Sequence, residues 1–262
     1  MIHIGTSGYY YKDWVGKFYP EGLKAADRLG FYAREFKTVE INSTYYHMPN
    51  ARSMEGMARQ VTDDFVFAVK APQELTHQRD GDAALFVQFV DALAPLVDAG
   101  KFAAVLAQFP YSFHNTPANA NYLRTLRERM GDVPVVVEFR TADWLSETAR
   151  DKTFALLREQ KLGFCCVDLP PIKSLPPPIA EATSTIAYVR FHGRNAAKWW
   201  EHEASYERYE YAYSQEELGE WVPKIEKLNQ LAEAVFVFAN NHYRGQAVDA
   251  ARQLRLLLEP PA

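Results

Sequence analysis

Cysteine is nearly absent: the 262 residues contain two, Cys165 and Cys166, adjacent in the chain. Neighbours on a strand point to opposite faces, which disfavours a disulfide between them. So sparse a usage fits a reducing compartment, and a cytoplasmic protein is expected. No stretch approaches the roughly 18 uninterrupted apolar residues of a membrane span. The opening MIHIGTSG enters a strand pattern directly, without the basic region and apolar run of a signal peptide, so no membrane partner is expected. A basic excess is missing too: 29 Lys+Arg face 33 Asp+Glu, a net charge of −4. Sequence-independent capture of nucleic-acid phosphates is therefore disfavoured against a small molecule, and only a local basic cleft would restore it. Gly5-Thr6-Ser7-Gly8 lacks the spacing of a nucleotide loop. There is no GxSxG elbow, and the histidines show no HxxxH or HxH spacing.

Strand-like runs are plentiful. Eight short apolar runs, at 2–6, 38–42, 65–70, 103–108, 133–138, 163–168, 186–192 and 234–240, each end on or beside a polar or ionisable residue. Between them lie amphipathic stretches read as helices at 22–36, 51–61, 82–98, 117–130, 146–160, 215–230 and 246–258. Thr116-Pro117 and Ser214…Glu217 have helix-start chemistry, a capping hydroxyl before proline and a capping box. Strand–helix alternation with short connections implies parallel pairing. Eight such units over 1–262 predict one (β/α)₈ TIM-type barrel domain with eight parallel strands, catalytic groups gathering at the C-terminal strand ends. Five prolines between Leu169 and Ile179 forbid a regular helix, so the sixth helix should be missing or replaced by a Pro-rich segment on the barrel's outside.

Strand alternation then sorts the barrel interior from the helix-facing shell. The outward apolar residues Val39, Ile41, Val135, Val137, Val189 and Phe191 turn Glu40, Asn42, Glu138, Arg140, Tyr188, Arg190 and His192 inward. The same parity assigns Lys70, Gln108, Asp168 and Asn240 to the interior, with Thr6 or Ser7 on the first strand and His242 just past the last. Buried ion pairs alone, such as Glu40–Lys70 or Glu138–Arg140, could account for a few of these residues, but so many charges in one barrel end point to a site. Guanidinium groups favour a phosphate or carboxylate, and carboxylates in unlike environments can divide acid and base roles. Glu138, Glu40 and His192 are therefore the candidate catalytic residues. Lys70, Arg140, Arg190, Asn42, Gln108, Asn240 and Asp168 are candidate binding residues. Aromatic loops after the first and seventh strands add Tyr9, Trp14 and Trp199, with Trp200, as covers. A glycosidase version would use Glu40 and Glu138 as a carboxylate pair about 5 Å or about 6.5–9.5 Å apart. No cofactor is predicted. The metal alternative would draw on Glu40, Glu138, Asp168, His192 and His242.

IGTSGYYYKDWVGKFYP at 4–20, FYAREFKTVEINSTYYHMP at 31–49, FVFAVKAPQELTH at 65–77, QFP at 108–110, VEFRTADW at 137–144, YVRFHGR at 188–194, YSQEELGEW at 213–221 and FANNHYRGQA at 238–247 follow one another along the chain. In these segments the chain resembles the YecE-like family, domain of unknown function 72. The resemblance implies a TIM-type barrel and a site formed by Glu40, Asn42, Lys70, Gln108, Glu138, Arg140, Arg190, His192 and Asn240. It implies no reaction. His242 stands where many relatives carry a carboxylate, which argues against a shared metal role there.

Three functions follow as expectations. The first is a barrel enzyme, a hydrolase or lyase, acting by acid/base chemistry on a small anionic, phosphorylated or sugar-like substrate. The second is a metal-dependent phosphodiesterase or nuclease. The third is a non-catalytic barrel that binds a ligand or single-stranded nucleic acid.

Overall fold

The computed structural model describes residues 1–79, 82–204 and 206–258; the last four residues of the expected 1–262 domain lie outside it. Eight parallel strands close into a barrel in sequence order. They are β1 (Ile2–Ser7), β2 (Thr38–Ile41), β3 (Val66–Lys70), β4 (Phe102–Gln108), β5 (Val135–Glu138), β6 (Gly163–Asp168), β7 (Ile186–Phe191) and β8 (Ala234–Ala239). Helices α1 (Arg28–Tyr32), α2 (Ala51–Ala58), α3 (Ala83–Asp98), α4 (Pro117–Met130), α5 (Arg150–Glu159), α6 (Gln215–Gly219), α7 (Val222–Leu231) and α8 (Gln246–Leu258) accompany them. Among the described residues no helix is long and apolar enough to cross a membrane.

The capping chemistry acts as the sequence implies. The Thr116 hydroxyl accepts from the Asn119 N–H at 3.2 Å ahead of Pro117, and Ser214 with Glu217 closes a reciprocal box on α6. The expected helix over 215–230 is broken in two. Pro223 suits the first turn of α7, and the break turns Trp221 inward, where its indole N–H donates to Asp168 Oδ2 at 2.7 Å. The expected helix over 22–36 shrinks to α1, preceded by a single 3₁₀ turn at Ala25–Asp27.

No helix forms between β6 and β7 among the described residues, as the prolines require. The segment does not lie wholly on the barrel's outside, however. Leu169 and Leu175 are buried with the apolar residues of the barrel interior, so part of the proline-rich run folds over the mouth. Ser174 C=O accepts from the Ala142 N–H at 3.0 Å, tying it to the chain beyond β5.

Apolar residues form two layers. The larger fills the space between strands and helices, with Phe36, Val39, Phe89, Val137, Phe191 and Trp221 among its members. The smaller lies inside the barrel around Leu106, Val136, Val167 and Phe238. His3 stacks on Phe236 at 4.8 Å at the N-terminal end of the barrel, a packing role.

A buried charged layer beneath an aromatic cleft

Ser7 pairs in register with Glu40, and Gln108 with Glu138, which directs these side chains to one level of the barrel interior. At that level the Arg190 guanidinium bridges two carboxylates. Its Nη2 donates to Glu40 Oε1 at 2.7 Å and its Nη1 to Glu138 Oε2 at 2.6 Å. Tyr188 donates its hydroxyl to Glu40 Oε2 at 2.6 Å. Arg140 Nε stands 2.5 Å from Glu138 Oε1, and His192 Nε2 stands 3.2 Å from the same oxygen. Asn240 completes the set: its Oδ1 accepts from Arg190 at 3.3 Å, leaving its amide nitrogen 3.0 Å from His192 Nδ1. With that amide donating, His192 carries its own proton on Nε2, the ring nitrogen nearer Glu138.

Glu40, Glu138, Arg190 and His192 are fully buried. Burial pushes the Glu138 carboxyl up, but Arg140, Arg190 and the His192 ring overcome it and hold the group well below the usual carboxylate range. Burial pushes His192 down to about 3, with Arg140 and Arg190 adding to the shift. Near neutral pH the layer therefore consists of a carboxylate and an uncharged imidazole, both fixed. Because one guanidinium fills the gap between Glu40 and Glu138, a sugar does not fit between them, and the glycosidase geometry is not formed.

Above this layer opens a cleft of about 320 Å³ at the C-terminal mouth. Lys70 and Gln108 reach it from the ends of β3 and β4, Arg140 from just beyond β5, and Tyr45, Tyr46, His77, Tyr111, Trp199, Trp200, Arg208 and Tyr209 from loops. Lys70 Nζ donates to Gln108 Oε1 at 2.8 Å and lies 4.4 Å from the Tyr45 ring centroid. Burial, reinforced by Arg190 and Arg140 against the opposing pull of Glu138 and Glu40, brings this amine down to about 7. A lysine whose folded value lies below its unfolded one binds fewer protons when folded. Its stability deficit is then complete below pH 7 and disappears as pH rises towards the free-lysine value. Thermal melts across that range should show Lys70→Met gaining stability over wild type at pH 6, the gain fading by pH 10. A gain that did not change with pH would contradict the depressed amine.

Several of the expected site residues lie elsewhere. Asp168 faces outward, because β6 pairs Val167 with Arg190 and Asp168 with the outward Phe191. There it accepts from Trp221, from Tyr213 at 2.6 Å, and from Arg194 at 2.7 and 3.0 Å, anchoring the loop after β7. Trp14 is fully buried, its indole N–H donating to His242 C=O at 2.7 Å, so it packs beneath the first loop and covers no ligand. Tyr9 sits beside Tyr10 and Tyr32, outside the cleft lining. His242 stacks on Tyr11 at 4.4 Å and is not among the residues that line the cleft. Asn42 follows β2, with its Oδ1 buried and without a protein partner. Trp199 does lie at the mouth, buried against the interior residues, while Trp200 is half exposed beside Tyr111 at 5.0 Å. The metal donors consequently fail to converge. Asp168 faces outward, His242 stacks on Tyr11, Arg190 engages both glutamates, and among the described residues no group of three or more His, Cys, Asp or Glu could hold an ion. Tyr45, Tyr46, His77, Tyr111 and Arg208 are cleft residues that the strand pattern did not reveal.

The family model described as "Protein of unknown function DUF72" matches residues 3–262. The chain belongs to the DUF72 family. UPF0759 protein YunF of Bacillus subtilis is 32% identical over 271 residues, spanning 99% of this chain and 95% of that protein. UPF0759 protein YecE of Escherichia coli is 29% identical over 158 residues, 58% of this chain and 53% of that protein. The crystal structure of a DUF72 family protein from Thermotoga maritima superposes with a TM-score of 0.90 at 38% identity, covering 99% of both chains. The YecE-like resemblance and the barrel fold are thus both shown for this DUF72 chain.

Proposed function

We propose that this protein is an enzyme that binds a small anionic, phosphorylated or sugar-like molecule in the mouth cleft and moves protons there through Lys70. The observation that supports this most strongly is the lining: Lys70, Arg140 and Arg208 face the cleft and, among the described residues, no carboxylate does. Its volume, about 320 Å³, lies at the lower end of small-molecule sites. Arg140 and Arg208 would hold the anion and the aromatic walls would exclude water. An amine brought down to about 7 exchanges protons in the neutral range.

Glu138, Glu40 and His192 act from below in this reading. They fix Arg140 and Arg190 and set the potential at Lys70, without touching the ligand. The free, buried thiols of Cys165 and Cys166 suit a reducing, cytoplasmic setting. A barrel that only binds its ligand would have less use for a depressed amine, and the acidic net charge disfavours nucleic acid.

Titration calorimetry with sulfate and with glycerol phosphate tests the site. Arg140→Met should weaken binding by roughly 10- to 150-fold, the loss of about 1.5–3 kcal/mol from hydrogen bonds to a charged group. Arg208→Met at the rim should weaken it less, and Arg127→Met at the opposite end of the barrel should leave it unchanged. Equal affinities in all four proteins would refute the assignment.

A further inference from the structure

We propose that Lys70 Nζ is an imine-forming nucleophile and that the substrate is a small anion carrying an aldehyde or ketone, such as an open-chain sugar phosphate or a 2-oxo acid. This rests on the preceding reading of the cleft as an anion site and adds the reacting group.

Four observations converge on that amine. It ends β3, at the C-terminal face of the barrel, and opens on the cleft rather than on bulk water. Its hydrogen-bond partner is an amide oxygen, Gln108 Oε1 at 2.8 Å. Among the described residues no carboxylate forms an ion pair with it, whereas Glu40 and Glu138 are already taken up by Arg190 and Arg140. The amine is thus denied a counterion and placed among cations, the setting that keeps a lysine uncharged and nucleophilic. The low value given above, about 7, agrees with this. Arg140 borders the same cleft, positioned to grip a carboxylate or phosphate while a carbonyl a few atoms away meets Nζ.

The step balances without a further reagent. The Nζ lone pair bonds to the carbonyl carbon as the C=O π pair moves to oxygen. One Nζ proton transfers to that oxygen, giving a carbinolamine. The hydroxyl takes a second proton from solvent and leaves as water, and the nitrogen lone pair closes the C=N⁺ bond. His77 lines the cleft against Tyr45, with ring centroids 5.0 Å apart, and is brought down to about 4 by burial and by Lys70, Arg140 and Arg79. As a neutral imidazole it can accept the proton released when the iminium loses a hydrogen from its α-carbon.

Borohydride trapping decides the matter. The protein is incubated at pH 7 with glyceraldehyde 3-phosphate, pyruvate or glyoxylate, with uncharged glyceraldehyde as control. It is then reduced with cyanoborohydride, digested and mapped by mass spectrometry. The expected result is an adduct at Lys70 at least about tenfold above any surface lysine, since side chains near the ordinary lysine value are almost wholly protonated at that pH. The α-amine of Met1 serves as an internal reference. Phosphorylated glyceraldehyde should outlabel the uncharged sugar, and Lys70→Arg should lose the adduct at that position. Label spread evenly over surface lysines, or a Lys70 yield equal for charged and uncharged probes, overturns the proposal. If sulfate binding still depends on Arg140 in that case, only the imine role falls. If it does not, the anion site falls with it.

Discussion

Glu138→Gln should lower the melting temperature by roughly 6–20 °C, the counterpart of the about 3–5 kcal/mol lost when one partner of a buried ion pair is removed. In the native barrel Glu138 meets Arg190 through one oxygen, and Arg140 and His192 through the other, at the floor of the cleft. The amide keeps the shape but not the charge, leaving Arg190 with Glu40 alone and Arg140 without its carboxylate partner. The acid limb follows from the same geometry. A carboxylate held well below its usual range contributes stability that is complete above the unfolded value and is lost as pH falls through the folded one. Glu138→Gln should therefore flatten the fall in stability on acidification. Combining it with Arg190→Met should cost less than the sum of the two single changes, because each alone strands a charge that the other removes. Strictly additive losses would mean that the layer is not electrostatically coupled. Calorimetric melts from pH 3 to pH 8 read both effects.

Trp199→Ala should act locally. Truncating a buried tryptophan costs about 3–5 kcal/mol where the surroundings cannot relax. Trp199, however, is carried on the segment between Gly193 and Tyr213, which is pinned at its ends. Arg194 binds Asp168 and Glu220, and the Gly193 N–H donates to the Tyr213 hydroxyl at 2.8 Å. Towards its tip Trp199 is buried in the apolar cluster that includes Leu169, Leu175 and Tyr209, while Trp200 and Tyr206 pack against Tyr111 and Tyr243. Without that side chain the tip opens before the barrel does. Limited proteolysis should then cut within 195–209 at least about tenfold faster, while the melting temperature falls by no more than a few degrees, since a local opening is not a global one. Hydrogen exchange should show loss of protection confined to the same residues. A cooperative loss over the entire barrel would show instead that the tip is part of the folding unit.

Most of the architecture was legible because strands and their partners obey local rules. Alternation in TVEI and VVVE set Glu40 and Glu138 inward, and the capping residues marked α4 and α6. The misplacement of Asp168 has a definite cause. β6 reads Gly-Phe-Cys-Cys-Val-Asp, apolar on both faces and buried throughout. It offers no alternation to read, and only pairing with β7 settles which way it turns. Trp14 departs from the expectation for a related reason: a loop aromatic shows no period, so nothing local distinguishes a ligand cover from a packing plug. Tyr45, His77, Tyr111 and Arg208 escaped notice because loops of different barrel units bring them together. The electrostatic state of Lys70 was out of reach altogether, since burial and charges from β2, β5 and β7 must be summed at one point.

Two segments that meet at the mouth differ in the freedom they lose on folding. One carries Leu175, within a run that includes Pro170, Pro171, Pro176, Pro177 and Pro178. Its torsions are restricted even in the unfolded chain, so little entropy is lost on holding it in place. From the other, a single long connection, come Trp199, Trp200, Arg208 and Tyr209, with Trp199 in the same apolar cluster as Leu175. Under the proposed reading a ligand would meet a wall of restricted torsions at Leu175 and a longer connection at Trp199. Redesign for a bulkier ligand would begin at Leu175, and tuning of residence time at the segment that carries Trp199.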